Sequence, residues 1–456
     1  MASTTDDPLR AKMWSGKPPV IERASSADLA FLAMDTGKVP QQFGVILLLE
    51  CSGDLGLPEL RQVVSQRIRA IPRLRQRLIT VPVGCGRAVW VDDLDFRIER
   101  HVRAVSCPPP GDERALHDIA LSVIMDRLPR RAPLWSVILI TDLADGAAAV
   151  VVVLHHVLAD GLGGLNVLAA LVDPGAPPAA LPFPQPKPPL SSLARDAWLT
   201  RARGVRRLAG SWRSFRQAMF ASGGVLPARA VPCSLVRPTG SGRRMAVLRL
   251  NRESVAAAAH RHGATANDAV LVAIAAALHQ VLLGRGESVD PVAITVPVSG
   301  RGAQGGSPLG NLVSPLLVEV PTVGTVGERL MRVEADVRAH RAAASGPAPI
   351  AILGVLFRLI ARLGGYRYYM NHQRRFHTLV AHVRGPAEPV TLGGCKVNAA
   401  IPVGVGEGGN MTVYFEVLSY AGMLTIAVIV DPDHGPDIDE LTHQLRNEFD
   451  SIIASS

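Results

Sequence analysis

Apolar positions along this chain fall into continuous runs and helical stripes that alternate through both halves. Val150 to Val153 and Leu154 form a run that predicts a strand buried on both faces. The preceding apolar stretch, Trp135 to Leu143, is separated from Ala147 to Leu154 by Ala144-Asp145-Gly146, the turn chemistry of a hairpin. Gly161, Gly163 and Gly164 then open a helical pattern through Leu165, Leu168 and Leu171. In the second half, Met245 to Leu250 reads as a strand, Val255 to His262 as a helix, and Thr265-Ala266-Asn267-Asp268 leads into a buried helix over Ala269 to Leu283. Further strands are predicted at Pro291 to Pro297, Leu312 to Val320, Met411 to Leu418 and Leu424 to Val430. Strands interleaved with helices in both halves predict an α/β fold with two layered units and not a bundle or an all-β sandwich.

The two patterned halves are separated by proline. Leu171 to Leu190 holds eight prolines, a density that supports neither helix nor sheet interior. A basic helical segment follows from about Ser191 to Met219, with Trp198, Val205, Leu208, Trp212 and Phe215 on one stripe. Two readings of that stripe stay open: a bridging helix packed on the protein, or docking on an anionic lipid surface. At 456 residues the length suits two domains of ordinary size. The expected division is an N-terminal domain over 1–172, the linker and basic helix over 173–220, and a C-terminal domain over 221–456.

Composition narrows the class. Apolar residues make up 48% of the chain, yet no run of about eighteen apolar residues is long enough to span a bilayer. Met1 to Pro8 is polar and acidic, without the features of a signal peptide, so a cytoplasmic protein is expected. The five cysteines are scattered and lack C-x-x-C spacing, which predicts reduced thiols and no zinc site. Net charge is +9, but only five of the 48 basic residues are lysine, an arginine excess typical of a GC-rich genome. The overall field favours anionic ligands such as a phosphorylated cofactor. Few aromatics and no stacking motif argue against nucleic acid.

Candidate chemistry gathers at His155-His156-Val157-Leu158-Ala159-Asp160-Gly161, directly after the valine-rich strand. A neutral histidine near its ordinary pKa can take a proton from a hydroxyl as that hydroxyl attacks a carbonyl. Neighbouring side chains in an extended loop diverge, so His156 is the candidate base and His155 is expected to face the protein. Asp160 reads as an N-cap that also holds the loop in shape, and Gly161 permits a close approach that a side chain would block. Gly404-Val405-Gly406-Glu407-Gly408-Gly409 matches G-x-G-x-x-G but precedes a strand, so the dinucleotide reading fails. P-loop, H-E-x-x-H and G-x-S-x-G motifs are absent from the sequence. A base without an obvious nucleophile favours direct transfer between two bound substrates.

These residues, taken with Ser26-Ala27-Asp28, Phe31-Leu32, Pro133-Leu134-Trp135, Asn267-Asp268, Pro297-Val298-Ser299-Gly300-Arg301, Gly310-Asn311, Val383-Arg384-Gly385-Pro386 and Ser419-Tyr420-Ala421-Gly422, carry a resemblance. Over nearly its full length the chain resembles the bacterial wax ester synthase/acyl-CoA:diacylglycerol acyltransferases, especially mycobacterial-type triacylglycerol synthases. The histidine motif alone is shared with chloramphenicol acetyltransferase and peptide-forming condensation domains.

The resemblance implies two chloramphenicol-acetyltransferase-like domains with mixed sheets and an active-site tunnel at their interface. It implies His156 as general base, Asn267 as a residue that steadies the tetrahedral intermediate, and Asp160 as structural support, with His155 and Gly161 completing the motif. An ordinary helix cap is the competing reading of Asn267. Acyl-CoA is the implied cosubstrate, diacylglycerol or a long-chain alcohol the acceptor, with no bound cofactor and no metal. Peripheral contact with the inner membrane face or lipid droplets is expected. Two rivals remain: the same fold acting on a polyketide or carrier-bound acceptor, and a weakly active lipid-surface protein.

Overall fold

Two six-stranded mixed sheets carry the chain in a computed structural model that describes residues 21–51, 55–173, 183–205, 230–299, 311, 313–343, 349–406 and 408–455. In the first half, helix α1 (Ser26–Met34) leads into β1 (Gln42–Glu50) and α2 (Leu57–Arg67), and then the small hairpin of β2 (Gln76–Ile79) and β3 (Val89–Asp92). Strand β4 (Val102–Ser106), α3 (Glu113–Met125), β5 (Trp135–Thr141), β6 (Ala148–His155) and α4 (Gly161–Leu171) follow. Helix α5 (Leu190–Val205) comes after the proline-rich stretch.

The second half runs through β7 (Arg244–Asn251), α6 (Arg252–Arg261), α7 (Ala266–Gly284), β8 (Val292–Ser299) and β9 (Val313–Val320). Helices α8 (Val326–Ala343), α9 (Pro349–Arg362) and α10 (Gly365–His372) precede β10 (Thr378–Arg384), β11 (Thr391–Leu392) and β12 (Cys395–Gly404). Strands β13 (Val413–Tyr420) and β14 (Met423–Val430) and helix α11 (Ile438–Ala454) complete it. The predicted hairpin is the antiparallel pair β5/β6, and the predicted strands and helices of the second half fall where the apolar pattern places them.

Strand order is β11-β12-β1-β6-β5-β4 in one sheet and β7-β14-β13-β10-β8-β9 in the other. The sheets do not divide along the linear partition of the sequence. Strands β11 and β12, inside the region 221–456 expected as one C-terminal domain, belong to the first sheet, where β12 pairs antiparallel with β1 from Phe43↔Gly404 to Glu50↔Lys396. An alternating strand reveals which of its faces is buried but not which edge it joins. That pairing welds the halves together through main-chain hydrogen bonds.

Helix α7 passes the length and hydropathy requirements of a membrane span, yet 72% of its most apolar stretch is buried inside the protein. A helix apolar all round belongs in a core. Here it is packed against the second sheet with Phe415 and Val417 of β13 and with Leu441, Leu445 and Phe449 of α11. The alternate residues of β13 point the other way. Tyr414 joins a cluster with Ile46, Ile138 and Val151, and Leu418 and Tyr420 join another with Trp135, Val152 and Leu154. The opposite face of the second sheet is thus packed on the first, and the seam between them is where the site lies.

Two further expectations are corrected. Cys51 and Cys395, expected as free thiols, form a disulfide that fastens the end of β1 to the start of β12. Their separation of 344 residues leaves no local spacing signal. In the basic helix, the buried residues of α5 are Leu193 and Ala197, whereas Trp198 stays exposed. Trp198 therefore does not pack on the protein as the bridging reading of the stripe required; the Val205 side chain and Leu208, Trp212 and Phe215 lie outside the described residues. Cys85, Cys107 and Cys233 are free. Alkylation of protein unfolded without reductant is therefore expected to label three cysteines, rising to five after reduction; five labels before reduction would contradict the disulfide.

Candidate active site

Strand β6 ends at His155 because its hydrogen bonds are taken up there by two neighbours. The His155 N–H donates to the Leu134 carbonyl and the His156 N–H to the Gln41 carbonyl, at 3.1 and 2.9 Å. The chain then turns, with Leu158 N–H donating to the His155 carbonyl. His155 faces inward at 1% exposure. Its Nδ1 accepts from Val157 N–H at 2.9 Å, which leaves Nε2 to carry the proton toward Asp35 Oδ2 at 3.3 Å. Asp35 also meets Arg127 at 2.5 Å and Arg130 at 2.8 Å. Burial raises the Asp35 pKa, but hydrogen bonds from His155 and Arg130 and the nearby Arg127 outweigh it, so its carboxyl stays well below the usual range. Asp35 is the anchor of the whole loop, and nothing in its sequence surroundings announces it.

His156 takes the divergent direction. Its ring stacks on Phe31 at 5.0 Å and tilts against Phe43 at 4.6 Å between centroids. Burial, reinforced by His155, pushes its pKa down to about 4, opposed by the Asp160 carboxylate and the Ala159 backbone. The imidazole is therefore neutral at physiological pH and free to accept a proton. Phe43 is itself fixed by a missing side chain: a Cβ on Gly164 would lie 2.7 Å from the Phe43 ring. Glycine at this position of α4 lets the aromatic wall close on His156.

Asp160 caps α4, its Oδ1 accepting from Gly163 N–H at 2.8 Å. An N-cap of this kind is worth roughly 1 kcal/mol and here also fixes where the histidine loop ends. Gly161 follows, and a Cβ there would lie 3.0 Å from Val383 of β10. The loop thus abuts the second sheet. The Asn311 side chain ties the two halves more directly: its Nδ2 donates to the His156 carbonyl at 2.6 Å and to Asp28 Oδ1 at 3.0 Å. The other Asp28 oxygen holds the Ser25 N–H in the capping box of α1. Three separate sequence motifs, those of Asp28, His156 and Asn311, therefore meet at one amide.

Asn267 lies in the first turn of α7, but the cap is made by Thr265, with Asp268 completing the capping box. Its side chain instead engages the second sheet. Its Oδ1 lies 3.2 Å from His382 Nδ1, and His382 Nε2 lies 3.1 Å from Ser419 Oγ. A proton on His382 Nδ1 satisfies both bonds and leaves the Asn267 Nδ2 donors for another acceptor. No hydrogen bond joins Asn267 to the His156 loop among the described residues; the link runs through β10, where His382 holds Asn267 and Val383 touches Gly161. His382 went unnoticed in the sequence because it sits within an ordinary alternating strand.

Glu416 of β13 is a third residue, after Asp35 and His382, that sequence reading passed over. It faces the seam beside Gly404, where a Cβ would lie 2.5 Å from its Oε1, and Gly404 pairs with Phe43 in the first sheet. Burial raises its carboxyl to about 8. Tyr420 closes the same side: its hydroxyl donates to the Val397 carbonyl and accepts from Val390 N–H. A surface hollow of about 430 Å³, lined by His262, Val326, Gly327 and Ser451, lies on the outer helices and shares no residue with this cluster.

With this geometry in place, comparison with known proteins is informative. A family model described as the wax ester synthase/diacylglycerol acyltransferase catalytic domain matches residues 24–270, and one described as the WS/DGAT C-terminal domain matches 309–453. A putative diacylglycerol O-acyltransferase of Mycobacterium tuberculosis is 27% identical, over 92% of this chain and 87% of the relative. A probable diacylglycerol O-acyltransferase of the same species is 28% identical, over 96% of this chain and 93% of its own. Among solved structures, the wax ester synthase/diacylglycerol acyltransferase of Marinobacter aquaeolei shares the fold at a TM-score of 0.65 and 21% identity, covering 94% of this chain and 98% of that one.

Two outcomes are expected. Gly164→Ala drives the Phe43 ring toward His156, so catalytic turnover should fall well before thermal stability does; turnover unchanged in the folded variant would contradict the packing described. Glu416 has a folded pKa of about 8 against an ordinary 4.5, so the folded state binds more protons between those values. Stability from this group is thus full below about 4.5 and declines as pH rises through about 8. Melting curves of Glu416→Gln should lose that decline between about pH 4.5 and 8, and an unchanged profile would show that the group titrates normally.

Proposed function

The chain belongs to the wax ester synthase/diacylglycerol acyltransferase family and is an O-acyltransferase; we propose that it moves a long-chain acyl group from acyl-CoA to the hydroxyl of diacylglycerol, with long-chain alcohols as a second class of acceptor. The observation that carries this reading is the placement of His156: an imidazole between two aromatic rings, on the seam of two sheets, just beyond the end of a strand and tied by its carbonyl to Asn311. An apolar wall beside a base suits substrates that are mostly hydrocarbon with one reacting hydroxyl.

In this mechanism His156 removes the proton from the acceptor hydroxyl as its oxygen attacks the thioester carbonyl carbon. The carbonyl electron pair moves onto oxygen, giving a tetrahedral oxyanion, and Asn267 Nδ2 is the assigned donor to it. Collapse of the intermediate breaks the carbon–sulfur bond, and the imidazolium returns its proton to the departing CoA thiolate. Proton and electrons balance without an acyl-enzyme. Asp35, through His155, and Asn311, through the His156 carbonyl, position the loop and do not touch substrate.

The lowered pKa weakens His156 as a base but keeps it unprotonated across the physiological range. The acid limb of the turnover profile should therefore fall near pH 4 to 5, and not at the 6.5 of an ordinary histidine. His156→Ala should lose roughly a hundred to ten-thousand-fold in turnover of acyl-CoA with diacylglycerol. A folded His156→Ala protein that still esterifies at near wild-type rate would end the assignment.

A further inference from the structure

Helix α9 packs one face on the protein and leaves the other exposed. Phe357 and Ala361 are buried against Ala30, Ala33 and Met34 of α1, the helix whose Phe31 stacks on His156. On the outer side Val355, Leu356, Leu359, Ile360 and Leu363 are 71, 55, 54, 44 and 79% exposed. At a helical period these five form one continuous stripe, and Tyr368 and Tyr369 of the following helix α10 are exposed as well. An exposed apolar ridge of this length marks an interaction surface.

Charge identifies its partner. Between Val337 and Ala387 the sequence contains eight arginines and neither aspartate nor glutamate. Arg358 and Arg362 flank the apolar stripe at helical spacing, and Arg87, on the loop between β2 and β3 and donating to Ser26 Oγ of α1, lies near enough for its charge to act on Arg358. Burial first, and then the charges of Arg87 and Arg362, lower the Arg358 pKa, the mark of guanidinium groups crowded without a counter-ion. Its Nη1 is buried with no hydrogen-bond partner among the described residues. A twofold pairing of this face with a second copy would bring two such cationic clusters together. A phosphate-bearing apolar surface satisfies both features at once.

We propose that the outer face of α9, with Arg87, Arg358 and Arg362 beside it, docks the enzyme onto the negatively charged phospholipid surface of a bilayer. The aliphatic ridge enters the acyl boundary while the arginines meet lipid phosphates. The inference rests on the acyl-transfer reading, since a bilayer is where an acceptor such as diacylglycerol dissolves. It also moves the lipid-contact surface from the Trp198 to Phe215 segment to a helix packed directly on the wall of the site.

The test uses the purified full chain with phosphatidylcholine vesicles, with or without phosphatidylglycerol, in a co-sedimentation assay. Wild type should sediment with the anionic vesicles in a salt-sensitive manner. Leu356→Glu/Leu359→Glu should weaken that binding about tenfold or more, and Arg358→Gln/Arg362→Gln should abolish the preference for phosphatidylglycerol. Turnover of a water-soluble short-chain alcohol should be unchanged in both variants. The proposal is overturned if wild type ignores anionic vesicles, if the glutamate variant binds as wild type does, or if that variant converts a wild-type dimer to a monomer. It is equally overturned if the arginine variant keeps its vesicle binding but needs more acyl-CoA for half-maximal rate, which would assign the cluster to the donor's phosphates. Failure of wild type to esterify both the soluble alcohol and diacylglycerol would sink the acyl-transfer reading instead, leaving the vesicle result readable.

Discussion

The main-chain hydrogen bonds between β1 and β12 hold this molecule in its working form. Through them a strand from the second half becomes part of the first sheet, so the relation between the two sheets is set by ladder geometry and not by side-chain docking alone. Phe43 sits in that ladder opposite Gly404, with His156 on one side and Glu416 beside the glycine. A slip of one residue in β12 would turn Gly404 away from Glu416 and every neighbouring side chain of β12 to the wrong face. The Cys51–Cys395 bond fastens the far end of the same pair.

Within that frame the two histidines divide their labour by environment. His155 has a fixed tautomer because one nitrogen accepts from Val157 and the other faces Asp35, and two arginines keep that carboxylate ionised. His156 has aromatic neighbours and a lowered pKa, so its ring stays neutral, with one N–H, until a substrate supplies a second proton. The same pair of residue types thus gives a rigid strut and a proton acceptor, and burial with different partners is enough to separate them.

What was legible in the sequence was local. The valine run, the glycine-rich helix start and the Asp160 cap lie within fifteen residues of one another, and their periodicity and turn chemistry place the histidine loop without any knowledge of the rest. The buried character of α7 was equally readable from its long apolar run, interrupted only by His279 and Gln280, which suits a core helix better than a membrane span. The remainder depends on partners far away: His155 and Asp35 are 120 residues apart, Asn311 and Asp28 283, Asn267 and His382 115. Asp35, His382 and Glu416 occupy unremarkable contexts, so only the fold reveals their neighbours. The edge joined by β12 and the disulfide beside it escaped for the same reason, and whether Trp198 packs on the protein stayed open because periodicity alone does not say which side of a helix finds a partner.

The central claim is that donor and acceptor meet at His156 in the seam between the sheets. It is tested most directly by a crystal structure of the His156→Asn protein with an acyl-CoA analogue whose thioester is replaced by a stable ketone. The expected result is the ketone carbon within roughly 3 to 4 Å of the residue 156 side chain, its oxygen toward Asn267 Nδ2 and its chain along Phe31 and Phe43. Analogue bound elsewhere, with position 156 walled off from it by protein, would contradict the account.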